Sequence, residues 1–303
     1  MEQSVNCLLC HSSHVYLLTT IYANQLAANW HTSFQIDVTD ELAGFDQIKL
    51  HECQACHLQF FPPELAGSGH LYAQLQRFEW YYMPRKWEHD VALGELAGCR
   101  RVLEIGCGRG DFVERVRAQL QSDAQGIELN GSAVRDAQRR GLPVYDTNLR
   151  EVAEQFSGYY DAICSFQVLE HVPDPRGFLE CCCRLLRPGG RLLLGLPNAD
   201  SFLRYQFNLL DMPPHHMTRW SATVLRQLPR LLPLHLECIR LEPLQDYHIE
   251  GYIDAYFTQI ARHRLFRGLC RANFKRMCTG MIRHTHLNRW LVGQSLYVSY
   301  ARL

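Results

Sequence analysis

The chain has 303 residues, 47% of them apolar and 20% charged, and its 31 basic and 31 acidic side chains leave no formal net charge. That length suits one large domain with a small satellite, or two domains, and the apolar fraction, with 20 Gly and 13 Pro, excludes a disordered, collagen-like or linker-dominated chain. No run of about 18 uncharged apolar residues and no basic, apolar-cored leader occurs, so a soluble cytoplasmic protein without a transmembrane segment is expected.

In chain order, the first signal is a pair of C-x-x-C elements, Cys7/Cys10 and Cys53/Cys56, bracketing a long intervening stretch. Four thiolates on two tight turns suit tetrahedral Zn²⁺, and a reducing compartment favours metal over disulfide. His11 and His57, directly after each second cysteine, are alternative ligands. SFQIDV and FDQIKLHEC between the pairs read as extended. Residues 1–66 are therefore expected to form a zinc-ribbon-like module holding a structural zinc, ahead of the main domain, 67–303. An aromatic segment, HLYAQLQRFEWYYMPRKWEHD, follows. Its Tyr81, Tyr82 and Trp87 either close over a ligand or pack in the core.

From Arg101 short apolar runs alternate with amphipathic ones. RRVLEI, DAQGIEL, PVY, YYDAICSFQ and RLLLGLP read as strands; DFVERVRAQL, SAVRDAQRR and FLECCCRLLRP read as helices, the last stopped by Pro188-Gly189-Gly190. LHLECIRLEP and QSLYVSYARL are later strands. Such alternation predicts an α/β fold with a doubly wound sheet covered on both faces. Nine of the 13 cysteines, including Cys181, Cys182 and Cys183, read as packing.

VLEIGCGRGDF sets Gly106, Gly108 and Gly110 between a strand and a helix, where the backbone must turn sharply and meet a ligand without Cβ atoms in the way. Glu128 ends the strand that follows that helix, where a carboxylate can accept both hydroxyls of a ribose. Glu104 precedes the loop and Asp111 stands where a dinucleotide fingerprint has its third glycine. These acids disfavour a pyrophosphate and favour a cofactor with a cationic end.

LEIGCGRG, GIELN, DAICSFQVLEHVPDP and LLRPGGRLLLGLPN, in this order over about residues 80 to 300, resemble the class I S-adenosylmethionine-dependent methyltransferases. The resemblance implies a Rossmann-like seven-stranded sheet with its last strand antiparallel. It also implies that Glu104 and the glycine loop hold the methionine half of the cofactor and that Glu128 holds the ribose. Asp146, or Asn148 in the alternative phase, would meet the adenine, and Gln167 and Val168 would line the site. Some sugar C-methyltransferases of this family carry an N-terminal zinc-binding module; they also carry a further C-terminal domain that is not expected here. Some ribosomal RNA methyltransferases carry a zinc module as well.

Methyl transfer needs a nucleophile aligned with an electrophilic methyl and, where required, a base. Glu170-His171 follows the fourth strand of the main sheet, at the edge where open α/β sheets bind ligands; the plainer reading of the pair is a cap and structural turn. In NLLDMPPHHMTRW, Pro213-Pro214 stiffens the chain ahead of His215 and His216, and histidine is a residue type suited to proton removal near neutral pH. The alternative is a packing loop with Trp220 buried and Arg219 capping. His215, His216 and His171 are the candidate bases.

The zero net charge conceals a segregation, since every Asp and Glu lies at or before Asp254 and the chain beyond it holds nine basic groups. A basic helical insertion is expected at about 256–293, with Arg262, Arg264, Arg267, Arg271, Lys275, Arg276, Arg283 and Arg289. It suits a phosphate-bearing metabolite, RNA, an anionic membrane surface presenting a lipid-linked substrate, or plain solvation. The reading is a methyltransferase acting on a small polar metabolite, such as a nucleotide- or lipid-linked sugar. An RNA methyltransferase and a non-catalytic, cofactor-binding assembly partner are the alternatives.

Overall fold

The computed structural model describes residues 5–78, 80–261 and 272–303. The chain opens with a hairpin-like pair, β1 (Val15–Tyr22) and β2 (Gln47–Cys53), linked through helix α1 (Ala23–Phe34), and continues to the short β3 (Gln59–Phe60). β1 was not anticipated, because its residues are mostly exposed and show no alternation. SFQIDV is not a strand. Ser33 and Phe34 end α1, Gln35 caps it in the left-handed region at φ 55°, and Ile36 and Val38 are fully buried in an irregular segment. Their alternation marks two core anchors.

Helices α2 (Gly69–Leu75) and α3 (Trp87–Glu95) lead into the main body. It runs β4 (Arg101–Ile105), α4 (Asp111–Leu120), β5 (Asp123–Ile127), α5 (Gly131–Arg139), β6 (Val144–Tyr145), α6 (Leu149–Gln155), β7 (Tyr160–Phe166), α7 (Pro175–Leu185) and β8 (Leu186–Pro197). Then come β9 (Thr218–Arg219), α8 (Ala222–Leu225), α9 (Leu228–Leu231), β10 (Leu234–Pro243), α10 (Ile249–Ala261), α11 (Ala272–Thr285) and β11 (Val292–Arg302). The seven-stranded sheet has the order β10-β11-β8-β7-β4-β5-β6, and its last strand, β11, runs antiparallel to both neighbours. This is the doubly wound, Rossmann-like sheet the sequence implies.

The strands are buried on both faces, so their side chains divide by parity. Leu103, Ile105, Ile163, Leu192 and Leu194 meet Leu179 and Cys182 of α7 on one side. Val102, Ala162, Cys164 and Leu193 meet Phe112, Val113 and Val134 on the other. Helix starts are fixed locally: the Asn130 side chain accepts from Ser132 and Ala133 N–H, and Asp174, ahead of Pro175, accepts from Gly177 N–H. Helix α7 ends at Leu185, and β8 already begins at Leu186. Pro188-Gly189-Gly190 therefore bulges within the strand: the pairing passes from Tyr160↔Leu186 to Ala162↔Arg191.

A second sheet has the order β1-β2-β3-β9. Gln59 pairs Arg219 and Phe60 pairs Thr218, so the strand after the second cysteine pair is bonded to the segment that carries the histidines. Phe61 N–H donates to Met217 O at 2.9 Å and Gly67 N–H to Pro214 O at 2.8 Å. Trp30, wholly buried, donates its indole N–H to Pro213 O. The boundary at residue 66 thus falls within one packed assembly.

The helical insertion begins at Ile249, ahead of the expected 256. Phe202, Leu244, Ile249, Ile253 and Ile282 form its core. Its first turns carry Glu250 and Asp254, which pair with Arg283 and Lys275. Arg262, Arg264, Arg267 and Arg271 lie outside the described residues. Among the described residues no helix is long and apolar enough to cross a membrane.

Candidate active site

The β4–α4 turn carries three glycines with φ of 71°, 53° and 76° at Gly106, Gly108 and Gly110. A Cβ on Gly106 would lie 2.4 Å from Val168 Cγ2, and one on Gly108 3.0 Å from the Tyr82 ring. Gly110 faces Leu142 and Val144, so its role is helix packing. Gly106 N–H donates to Ile127 O at 2.8 Å, pinning the loop to β5. Glu128 completes it: Oε2 accepts from Gly108 N–H at 2.9 Å and Oε1 from Asn130 N–H at 2.8 Å. Each carboxylate oxygen keeps a lone pair for a further donor. The Asn130 amide donates to Gln76 Oε1 and Tyr82 Oη, tying the aromatic segment over the loop.

Glu104 is 5% exposed, and its Oε2 has no hydrogen-bond partner among the described residues. Burial raises its carboxyl well above the usual range. A buried, unpartnered carboxyl beside a glycine cradle fits a cationic ligand group. Gln167 ends β7 with φ 58°, and its amide donates to Glu88 Oε1 at 2.9 Å. Strain of this kind clusters at functional sites. Asp146 is exposed and is not part of the cavity wall; Thr147 and Leu149 are. Asn148 is occupied as the N-cap of α6. β6 is only two residues long, and the Asp146 carboxylate lies toward Gly131, which does line the cavity: a Cβ on Gly131 would sit 3.5 Å from its Oδ2.

The glycine loop and the histidines line a single cavity of about 870 Å³. Tyr72, Trp80, Tyr81, Tyr82, Trp87, Phe178 and Tyr247 supply an aromatic part of its wall. His215 and His216 are each 6% exposed, with rings stacked 4.5 Å apart, and His171 lies edge-on 4.5 Å and 4.8 Å from them. Asp211 Oδ1 lies 3.1 Å from His216 Nδ1, and Tyr81 Oη lies 3.3 Å from His215 Nε2. Burial works against the Asp211 carboxylate, but hydrogen bonds from His216 and Asn208 and the nearby Arg219 charge hold it below its ordinary range. Burial pushes the Glu170 carboxyl up to about 7 and drives His171 down to about 3. Arg219 donates to Asp211 O at 3.2 Å, and Trp220, 1% exposed, donates to Thr218 Oγ1. Those two side chains brace the loop. Asp211, Glu88, Tyr72 and Asn130 escaped the sequence reading; Asp211, four residues before His215, is recognisable only once the loop folds back.

Cys7 Sγ lies 3.5 Å from Cys56 Sγ and Cys10 Sγ 3.5 Å from Cys53 Sγ, and all four sulfurs lie within 4.8 Å of one another. A disulfide would bring two sulfurs to about 2.05 Å, whereas bonds of about 2.3 Å to a tetrahedral zinc set them about 3.8 Å apart. The residues fit zinc. His11 and His57 adopt left-handed φ of 59° and 65° and donate N–H to Cys7 O and Cys53 O, closing the two turns.

A methyltransferase-domain family model matches residues 79–231. Ubiquinone biosynthesis O-methyltransferase of Bordetella avium is 34% identical over 126 residues, 39% of this chain and 51% of the relative. The namesake from Xanthomonas oryzae is 35% identical over 121 residues, covering 38% and 50%. The chain spans about half the length of the curated relatives it matches. A solved chain from the complex of a Haloferax volcanii methyltransferase with its activator shares the fold at TM-score 0.51 and 15% identity, over 72% of this chain and 90% of that one.

Proposed function

Since this chain belongs to the methyltransferase-domain family, whose model covers half of it, we propose that it transfers a methyl group from S-adenosylmethionine to a hydroxyl oxygen of a small aromatic molecule. One observation carries the reading: the glycine loop with Glu104 and Glu128 opens into the same cavity as His171, His215 and His216. Bound there, the cofactor supplies an electrophilic sulfonium methyl. Glu104 would pair with its ammonium group, Glu128 would accept from its ribose, and Gln167 and Val168 would wall the space.

His216 is the proposed base. Asp211 holds its Nδ1 proton, which leaves the Nε2 lone pair to take a proton from the acceptor hydroxyl. His215 and His171 are alternatives, though His215 Nε2 already faces Tyr81 Oη. The aromatic wall and the relatives' named activity favour a phenolic acceptor over a sugar. They give no support to RNA or to a phosphate-bearing substrate, and a histidine cluster set against the cofactor cavity is more than a non-catalytic partner needs. Residues 1–66 are proposed as a structural zinc module. Labelled-methyl assays across hydroxylated aromatics, nucleotide sugars and total RNA test the acceptor class; incorporation confined to RNA or sugars would overturn the proposal.

Glu128→Ala should weaken S-adenosylmethionine binding by about 100-fold or more in calorimetry. Two charge-assisted bonds holding the loop, each worth about 1.5–3 kcal/mol, disappear together with the ribose contact. Unchanged affinity would remove Glu128 from the cofactor site.

A further inference from the structure

His171, His215 and His216 each offer a ring nitrogen, and these three atoms lie within 4.8 Å of one another. Each Nδ1 already has an oxygen partner: His215 O at 2.7 Å for His171, Leu210 O at 2.9 Å for His215, and Asp211 Oδ1 at 3.1 Å for His216. An acceptor at Nδ1 fixes the proton there and leaves the lone pair on Nε2. Three imidazoles are thus held with the proton on Nδ1 by outer partners; the Tyr81 hydroxyl, 3.3 Å from His215 Nε2, has to turn away for that lone pair to reach an ion. That support is what metal-bound histidines require.

Glu170 supplies the second, independent observation. It is 1% exposed, and neither carboxylate oxygen has a hydrogen-bond partner among the described residues. Its Oε1 lies 3.7 Å from His171 Nε2 and 4.0 Å from His216 Nε2. Two lone pairs therefore face an oxygen that needs a donor or a cation. A cation placed among these four groups would satisfy the carboxylate and the lone pairs together.

We propose that His171, His215, His216 and Glu170 bind a divalent transition-metal ion, of the class of Zn²⁺ and Co²⁺. Three imidazoles with one carboxylate select these ions over Mg²⁺ or Ca²⁺. Tetrahedral ligands about 2.1 Å from zinc lie about 3.4 Å apart, so small ring movements would close the cluster on the ion. All four residues line the cavity, which gives the ion a route in. The site stands without the methyl-transfer reading. A bound ion takes the Nε2 lone pair of His216, so the base role belongs to the metal-free form.

Co²⁺ titrated into the untagged 303-residue chain carrying a single equivalent of zinc is the test, because zinc confined to the cysteine knuckles leaves the histidine site empty for cobalt. Visible d–d absorption should grow to one equivalent without thiolate charge-transfer bands, and added Zn²⁺ should bleach it. Glu170→Gln and Asp211→Asn should each weaken binding about tenfold or more, and His215→Ala/His216→Ala should abolish it. No saturable absorption in the wild type, or the same spectrum in the double variant, would overturn the site. Cobalt binding with methyl transfer unaffected would support the site and withdraw His216 as the base; intact transfer with no cobalt binding would overturn the site alone.

Discussion

Replacing Cys53 and Cys56 together by serine should cost the chain its knuckle metal, most of its stability and its methyl transfer. A structural zinc contributes an apparent 10–16 kcal/mol, roughly, to the fold that binds it, comparable with the whole stability of a typical domain, about 5–15 kcal/mol. The damage should spread beyond the N-terminal module. β3 begins shortly after Cys56 and pairs with Thr218–Arg219, while Cys7, Cys53 and Cys56 pack in one core with Trp220, Val224 and Leu225. The cobalt-loaded variant should lack thiolate charge-transfer absorption, and its denaturant midpoint should fall sharply. A variant that unfolds like its parent and turns over normally would reduce the cysteines to packing.

His216→Ala should lower kcat by about 100- to 10,000-fold, the usual contribution of a positioned general base, while leaving the affinity for S-adenosylmethionine unchanged. Asp211→Asn should lose part of that factor by loosening the imidazole held at 3.1 Å. His215→Ala should cost less in kcat, since its Nε2 faces Tyr81. If instead His215→Ala is the dead variant and His216→Ala retains turnover, the base is His215.

What the residues disclosed in advance was local or periodic. The glycine loop, Glu128 and the alternation from Arg101 onward are short-range patterns, and all lie where expected in the fold. Long-range events were invisible. Nothing near Phe60 announces a partner as remote in the chain as Thr218. Asp211 reads as a loop acid until the turn brings it to His216. Asp146 is a related case: a two-residue β6 gives no parity from which to read the direction of its side chain, which lies toward Gly131. Basic residues mark the insertion in the sequence, whereas its first turns, from Ile249, carry the acids that pair with two of them, Lys275 and Arg283.

The left-handed Gln167 at the end of β7 bears on how this sequence can drift. A non-glycine residue there costs about 1–3 kcal/mol, yet its backbone N–H is bonded to Gly195 O at 2.8 Å and its amide to Glu88. Glycine would relieve the backbone but would lose the amide that links the fourth strand of the main sheet to α3. Relief of backbone strain and retention of the side-chain hydrogen bond therefore oppose each other at this one position. A Gln167→Gly variant should show by its denaturant midpoint which of the two contributions is larger.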